Sequence, residues 1–499
     1  MGDMSSLWHA AGPSIALDAP GERDGFDVAV VGAGVTGLTT AAMLASRGAR
    51  VVVLEAREVG AAATGGSTAK LSLLQGDRLH RILGLARRDA ARAYVEGSLE
   101  GMRQLRAMLT GTDALQSRTA VSYANGPEGA EALEHELVAA AQLGLPVERG
   151  GAESLPFETA GALQLADQAQ LHPMAMLAEL AAQLRSQGGT VVRASVEHVR
   201  VRGRRVEVET DAGSWSAGVV VLATGSPVPA RGTSALLSAH RSYAAAYRTA
   251  GPLPEVMALS VDPPSVDAPS RSLRTASVGG EELLIAGGPG HAVGRHDDPR
   301  RLVAELDEWV RALWPDAERT HVWSAQDYRT PDRLPWIGAR PGSRGRVLLA
   351  TGFDKWGMSS GAMSAVAMVG RISGDEPDWA RSLRRRGTTT VAVGRLGGML
   401  AATSKADAVA LARTLRPAPE PAEGEGALGR TGLRAVGTST VDGTTRRVSA
   451  RCPHAGFLVQ WNAQERSWDC TAHGSRFAPD GTRLEGPTAC PLKQLAAQG

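Results

Sequence analysis

Cysteine is scarce in this chain: three among 499 residues, all beyond position 450. So few cannot build the disulfide framework of a small secreted domain. None stands where it could make a thioether to a cofactor bound earlier in the chain, so only a histidine or tyrosine could supply such a link. Charge of one sign is also missing, with 54 Lys and Arg against 52 Asp and Glu and a net charge of +2. No dense basic stretch with interleaved aromatics occurs, which removes the electrostatic footprint of a nucleic-acid binder. The run Arg381-Ser382-Leu383-Arg384-Arg385-Arg386 reads as a solvated helix end. No apolar run reaches the ~18–20 residues of a membrane helix. Residues 1–18 have neither a basic leader nor an apolar core, so no signal peptide is predicted. These absences predict a cytoplasmic protein in a reducing compartment.

At 499 residues the chain is long enough for two to four domains. Hydrophobic residues at 43% and charged residues at 21% are the balance of a globular protein. Residues 27–55 read as a strand over 28–31, Gly32-x-Gly34-x-x-Gly37, a helix over 35–47, a strand over 51–54 and then Glu55. The three glycines suit a tight turn, close approach to a pyrophosphate and close helix–strand contact. The helix N-terminus adds unpaired N–H groups and a positive dipole end. Glu55 stands where an acid would bond an adenosine ribose, which disfavours a 2′-phosphate but leaves FAD and NAD both open.

Near the C-terminus lie Cys452-Pro453-His454 and, fifteen residues on, Cys470-Thr471-Ala472-His473. Each segment offers one sulfur and one imidazole. Mononuclear zinc sites usually pair Cys with Cys and His with His. The alternating order suits a [2Fe–2S] cluster with one iron on two Cys and the other on two His. With Gly456 and Gly474-Ser475 shaping the loops, the string CPHAG…WDCTAHGSRF…DG resembles the Rieske iron–sulfur domain over roughly the last seventy residues. The resemblance implies Cys452, His454, Cys470 and His473 as metal ligands, with the cluster near the surface on its histidine side. Phe457 and Ala472 stand where higher-potential members carry a disulfide. Ser475 matches the cluster-bonding serine, while Phe477 replaces the tyrosine. Fewer hydrogen bonds to sulfur imply a lower potential. Cys490 is expected to be an inert thiol.

Other stretches separate FAD from NAD. Residues 62–70 form a small, polar loop, Ala-Ala-Thr-Gly-Gly-Ser-Thr-Ala-Lys, and buried strands end in Ala223-Thr224-Gly225 and Ala350-Thr351-Gly352. The second runs into Phe353-Asp354-Lys355-Trp356-Gly357-Met358 and a small-residue helix to about Ile372. With His172-Pro173 and Asp332-Arg333-Leu334-Pro335-Trp336-Ile337-Gly338, these resemble the D-amino-acid-oxidase-like family of FAD-dependent oxidoreductases over residues 24–375. Flavoproteins of that family with a C-terminal Rieske domain share the opening Ser-Leu-Trp, the loop ending Thr-Ala-Lys, and Gly-Phe-x-Lys-Trp-Gly-Met. The implied fold class is α/β: a Rossmann-like FAD-binding domain with an inserted α+β substrate domain, plus a C-terminal all-β Rieske domain.

The expected oxidoreductase domain spans 1–416. Its FAD segments fall near 24–75, 190–235 and 335–375, and its substrate segments near 90–190 and 236–334. A Pro/Gly/Glu-rich linker, extended and semi-rigid, covers 417–426, and the Rieske domain covers 427–499. Helices are predicted over 97–109, 128–143, 174–187 and 404–415, and a strand–turn–strand over 190–208. Residues 240–290 read as strands broken by prolines at 252, 254, 263, 264 and 269.

The resemblance implies cofactor contacts at Gly32, Gly34, Gly37, Glu55, Ser67, Thr68, Lys70, Gly225, Gly352, Lys355, Trp356, Gly357 and Met358. Lys355 is the expected cation near the flavin, and Arg241 and Tyr328 the expected catalytic partners. His240, Tyr243, Arg274 and Arg329 are further candidates for the substrate face. The function expected is oxidation of an amine or amino acid by FAD, with electrons passing between flavin and cluster and on to an external partner. A second expectation is an electron-transfer protein that oxidises no small organic substrate. A third is a Rieske domain that is only a structural or redox-sensing appendage.

Overall fold

The structure, a computed structural model, describes residues 4–226, 233–262 and 270–496. The prolines expected to interrupt strands at 263, 264 and 269 lie outside these. The βαβ unit forms as strand Phe26–Val31, helix Val35–Ala45 and strand Val51–Glu55. Its strands are apolar on both faces, as parallel strands covered by helices must be. They pair with Val28 beside Val51 and Val31 beside Leu54. Strand Gly213–Leu222 joins in parallel on the other side, and strand Val347–Thr351 follows it. The resulting eight-stranded sheet gathers distant stretches of sequence into one layer. Helix Gly357–Ser373 is buried along most of its length. Small residues let it approach helix Val35–Ala45: a Cβ on Gly361 would stand 2.8 Å from Thr36 Oγ1.

A nine-stranded, mostly antiparallel sheet stands beside the first. Strands Glu318–Arg329, Ser238–Arg248 and Glu281–Ala292 form one end. Strand Gly161–Leu171 and the two-residue strand Lys70–Leu71 form the other. Three predicted helices appear as Arg88–Met108, Pro127–Gln142 and Pro173–Ser186. His172 caps the third, its Nδ1 accepting the Ala175 N–H at 3.2 Å. The strand–turn–strand forms as Val196–Arg202 and Arg205–Thr210.

Two expectations change. The helix predicted over 404–415 spans Thr390–Arg413. Gly394, Gly397 and Gly398 disguise its first half, since each disfavours a helix by ~1 kcal/mol. Thr389 nonetheless starts it, accepting the Ala392 N–H at 3.1 Å. The stretch 417–426 is not a free spacer. Ala418 N–H bonds the Arg430 carbonyl, Gly424 N–H bonds the Thr440 carbonyl, and Trp461 Nε1 donates to Gly424 O at 3.2 Å. It is zipped onto the unit it leads into.

That C-terminal unit is two four-stranded antiparallel sheets. Trp468, Phe477, Val448 and Leu458 fill the space between them. Buried ion pairs fasten it to the nine-stranded sheet. Arg241 reaches Glu485 at 2.5 Å and Glu465 at 3.4 Å. Arg476 holds Glu465 at 2.7 Å, Asp469 at 3.1 Å and Glu485 at 3.2 Å. Removing one partner of such a network costs about 3–5 kcal/mol. Arg241→Met is therefore expected to destabilise the protein by that order and to split its calorimetric unfolding into two transitions. An unshifted single transition would show that the network does not hold the units together.

Candidate functional site

The glycine loop is shaped by contacts only glycine permits. Gly32 has φ +101°, and a Cβ there would lie 2.7 Å from the Ala223 carbonyl. A Cβ on Gly37 would collide with the Gly32 carbonyl, so Gly37 sets helix–strand packing. Gly34 precedes helix Val35–Ala45 with no side-chain cap, and Thr64 Oγ1 accepts the Val35 N–H at 3.1 Å. The Glu55 carboxylate is fixed by the N–H groups of Ala33 (2.8 Å) and Arg57 (3.0 Å).

The loop over 62–70 is held through its carbonyls. Trp8 Nε1 donates to Ser67 O at 2.7 Å and Trp323 Nε1 to Gly66 O at 2.9 Å. Arg274 donates to Thr68 O at 2.9 Å and Ala69 O at 3.1 Å, with its guanidinium over the Trp8 ring. This accounts for the Ser-Leu-Trp opening: Ser6 caps helix Leu7–Ala11 and delivers a buried tryptophan to the loop. Arg274 is thereby a structural bolt and lies off the cavity.

Between the sheets runs a cavity of about 530 Å³, within the ~300–1,000 Å³ of cofactor and ligand pockets. Gly32, Gly34, Glu55, Ser67, Thr68, Lys70 and Gly225 line it. So do Tyr328, Lys355, Trp356, Gly357 and Met358. His240, Tyr243 and Arg329, expected on the substrate face, line it too. Gly37, Gly352 and Arg241 do not. Gly352 has φ +77°, and a Cβ there would press on Thr330 at 2.6 Å, so its part is to turn the backbone. Arg241 lies behind the cavity wall, its guanidinium claimed by Glu465 and Glu485.

One end of the cavity is cationic. Asp354 is ringed by Arg329 at 2.6 Å, Arg333 at 2.7 Å and Arg78 at 2.9 Å. Burial opposes its ionisation, but Arg329, Arg78 and Arg333 outweigh burial and hold it well below the usual carboxylate range. Lys355 stands beside them in the left-handed conformation, φ +72°, and Asp327 accepts its backbone N–H. Enclosure by the cavity walls, reinforced by Arg329, lowers its amine to about 8, even though the side chain keeps an exposed face. Burial also raises Asp327 to about 6 and, aided by Arg274, lowers Lys70 to about 7. Lys70 Nζ donates to Ala258 O at 2.7 Å. Helix Gly357–Ser373 begins here without a side-chain cap, and its dipole adds positive potential.

The ligand loops of the C-terminal unit are each closed by their own backbone. Cys452 N–H bonds Phe457 O at 2.8 Å, and Cys470 N–H bonds Ser475 O at 2.8 Å. Both sulfurs are buried in the unit's core and hydrogen-bond to one another, which lowers Cys452 to about 7 and pushes Cys470 up. The His454 and His473 rings meet edge to face, 4.9 Å between centroids. Both rings are half-buried, and their loops approach the turn Thr233–Leu236 and strand Glu318–Arg329. His454 Nε2 lies 3.3 Å from Ser234 Oγ, and the Gly474 carbonyl accepts from Gln326 at 2.7 Å. Cys490 is exposed and apart from the centre.

The cluster-bearing unit also walls the cavity. Arg483, Leu484, Glu485 and Gly486 line it, and Arg483 donates to Ser195 Oγ at 2.9 Å. Sequence reasoning missed this segment, which has no pattern to mark it. It also missed the Arg78–Asp354–Arg333 cluster, whose members are joined only by folding.

The sequence profile of the FAD dependent oxidoreductase family matches residues 27–371. The chain belongs to this family. Over 494 residues it is 30% identical to the Rieske 2Fe-2S protein YhfW of Bacillus subtilis (strain 168), covering 94% of this chain and 93% of the relative. A 42-residue stretch is 45% identical to cytochrome b6-f complex iron-sulfur subunit 3 of a Nostoc species, 8% of this chain and 24% of that subunit. Among solved structures, glycine oxidase from Geobacillus kaustophilus superposes with TM-score 0.57 at 21% identity, over 72% of this chain and 96% of its own. L-Proline dehydrogenase from P. horikoshii gives 0.59 at 17% identity, over 72% and 96%. These two establish the shared fold.

This FAD-dependent oxidoreductase therefore uses FAD and a Rieske [2Fe–2S] cluster, and its residues fit both. The glycine cradle is one that a Cβ would fill. His473 Nδ1 is buried with no hydrogen-bond partner among the described residues, and burial lowers its ring to about 4, leaving a neutral imidazole free to ligate. Among the described residues no three His, Cys, Asp or Glu are placed to share a single metal ion; a two-iron cluster asks instead for a Cys pair and a His pair. No helix among the described residues is long and apolar enough to cross a membrane. Gly32→Ala is expected to weaken FAD binding by about tenfold or more, 1.4 kcal/mol per decade, with iron content unchanged. Cys470→Ala should do the reverse: full flavin absorbance, no cluster signal in electron paramagnetic resonance.

Proposed function

We propose that this protein oxidises an amine or amino-acid-like substrate at its FAD and exchanges the electrons with its Rieske cluster, which trades them with a one-electron partner protein. The observation that carries this reading is that one cavity is walled both by the glycine loop and by residues 483–486 of the cluster-bearing unit. When bound, FAD supplies hydride acceptance and the cluster single-electron exchange. Cys452 and Cys470 would hold one iron, and His454 and His473 the other. Gly32, Gly34, Glu55, Ser67, Thr68, Lys70, Gly225, Trp356, Gly357 and Met358 would hold FAD. Gly37 and Gly352 would set the backbone for it.

The cationic end gives the chain its own part in the chemistry. Lys355 and Arg329 would hold a substrate carboxylate or other anionic group, with Arg329 kept in place by Asp354. Tyr328 presents a hydroxyl whose proton burial retains well above the ordinary range, so it serves as a donor and not as a base. Lys70, close to neutral at physiological pH, would accept a proton from an ammonium substrate and so favour the amine that can release hydride. Arg241 serves docking in this reading.

Anaerobic mixing with a panel of amines and amino acids tests it. Bleaching of the flavin absorbance by a panel member supports the reading. Reduction only by a reduced ferredoxin or a nicotinamide would replace it with the pure electron-transfer alternative. Lys355 is protonated below about pH 8 and loses its charge above it. Binding of a carboxylate-bearing substrate should therefore weaken as pH rises through 8. Lys355→Met should abolish that inflection and weaken binding by about 10- to 100-fold, the worth of one charged hydrogen bond.

A further inference from the structure

We propose that Gln326 is the positioning residue of the electron route between the flavin cavity and the cluster, with Tyr328 at its cavity end and Gly474 at its cluster end. This rests on the reading that flavin and cluster exchange electrons. Tyr328 and Gln326 are both buried and both line the cavity. Gln326 Nε2 donates to the Tyr328 hydroxyl at 2.7 Å and to the Gly474 carbonyl at 2.7 Å. Gly474 directly follows His473. Two short hydrogen bonds through one amide thus join the cavity wall to the neighbour of a cluster ligand.

The amide orientation follows from its partners. Its Oε1 faces Arg241 Nη2 at 3.4 Å, and Arg241 carries only donors, so the NH₂ must face Tyr328 and Gly474. The approach of the two units at this point is as close as the chain allows. Gly474 adopts φ +79°, and a Cβ there would collide with Ala239 and Gln326. A buried polar side chain in such a seam is costly unless fully bonded, and an apolar residue of similar size would fill the space. Electronic coupling decays far less through bonds and hydrogen bonds than across a gap. With both groups bound, the reduced flavin would give up two electrons singly to the cluster and its proton to the cavity water, and a one-electron acceptor protein would take each electron from the cluster in turn.

The test uses the holoenzyme with its flavin photoreduced anaerobically and cluster reduction followed by absorbance and paramagnetic resonance. Gln326→Leu is expected to slow cluster reduction by about tenfold or more, since a misplacement of about 1 Å can cost up to 10²-fold. The g values and potential of the cluster and the flavin content should remain as in the wild type. Tyr328→Phe, which removes one hydroxyl and keeps the ring, should slow it to a lesser degree and covers the case in which Gln326→Leu fails to fold. Unchanged rates in both variants overturn the assignment and favour a path from Gly486 in the cavity wall through Thr488, whose N–H donates to Ser475 Oγ at 3.1 Å. Absence of transfer in the wild type overturns the relay reading, and this proposal with it.

Discussion

Two guanidinium groups from different units, Arg241 and Arg476, share the carboxylates of Glu465 and Glu485 in a largely buried seam. Buried charges are tolerated only when each is paired and hydrogen-bonded, and their geometry must then be met closely. Asp469 and Ser467 take up the remaining donors of Arg476, and Ser324 bonds both Arg241 and Glu465. The network admits one way of seating the C-terminal unit on the nine-stranded sheet. A sliding apolar contact would admit many.

That seating determines what the rest of the molecule can do. It brings residues 483–486 into the wall of the cavity and sets His454 beside Ser234 and the Gly474 carbonyl beside Gln326. It also presses Gly294 against the backbone of 469–471, where a Cβ would meet the Asp469 carbonyl at 2.7 Å. Arg295 secures the same place by donating to Thr471 O at 2.8 Å. The flavin cavity and the cluster loops are therefore neighbours within one packed assembly. Elsewhere in the cavity wall the fold concentrates positive charge: one buried carboxylate, Asp354, is shared among three arginines with Lys355 alongside. The charge left over is aimed at whatever anion the cavity receives.

Much of the site was legible before folding was considered, for a local reason. Gly32, Gly34, Gly37 and Glu55 act within one strand–helix–strand unit, and the two Cys-His pairs act within two tight loops. Spacing along the chain is then nearly spacing in space. Arg241 shows the other case. As an arginine on a strand of the expected substrate sheet it reads as a carboxylate grip, and only the carboxylates of Glu465 and Glu485, more than two hundred residues away, reveal it as a docking residue. The long helix Thr390–Arg413 was half hidden for a different, local reason: Gly394, Gly397 and Gly398 argue against its first turns and mask the signal of the Thr389 cap.

By itself the sequence determined the chemistry available to this protein: a dinucleotide cradle, and two thiolates and two imidazoles in cluster order. These depend on neighbours within a few residues, where covalent connectivity restricts geometry. Only the tertiary structure decided that the cluster-bearing unit helps wall the cavity, which arginines line that cavity and which serve docking, and that Gln326 joins the cavity wall to the loop of Gly474. Those outcomes follow from desolvating charges and amides contributed by distant strands, and no local pattern along the chain encodes which of them will meet.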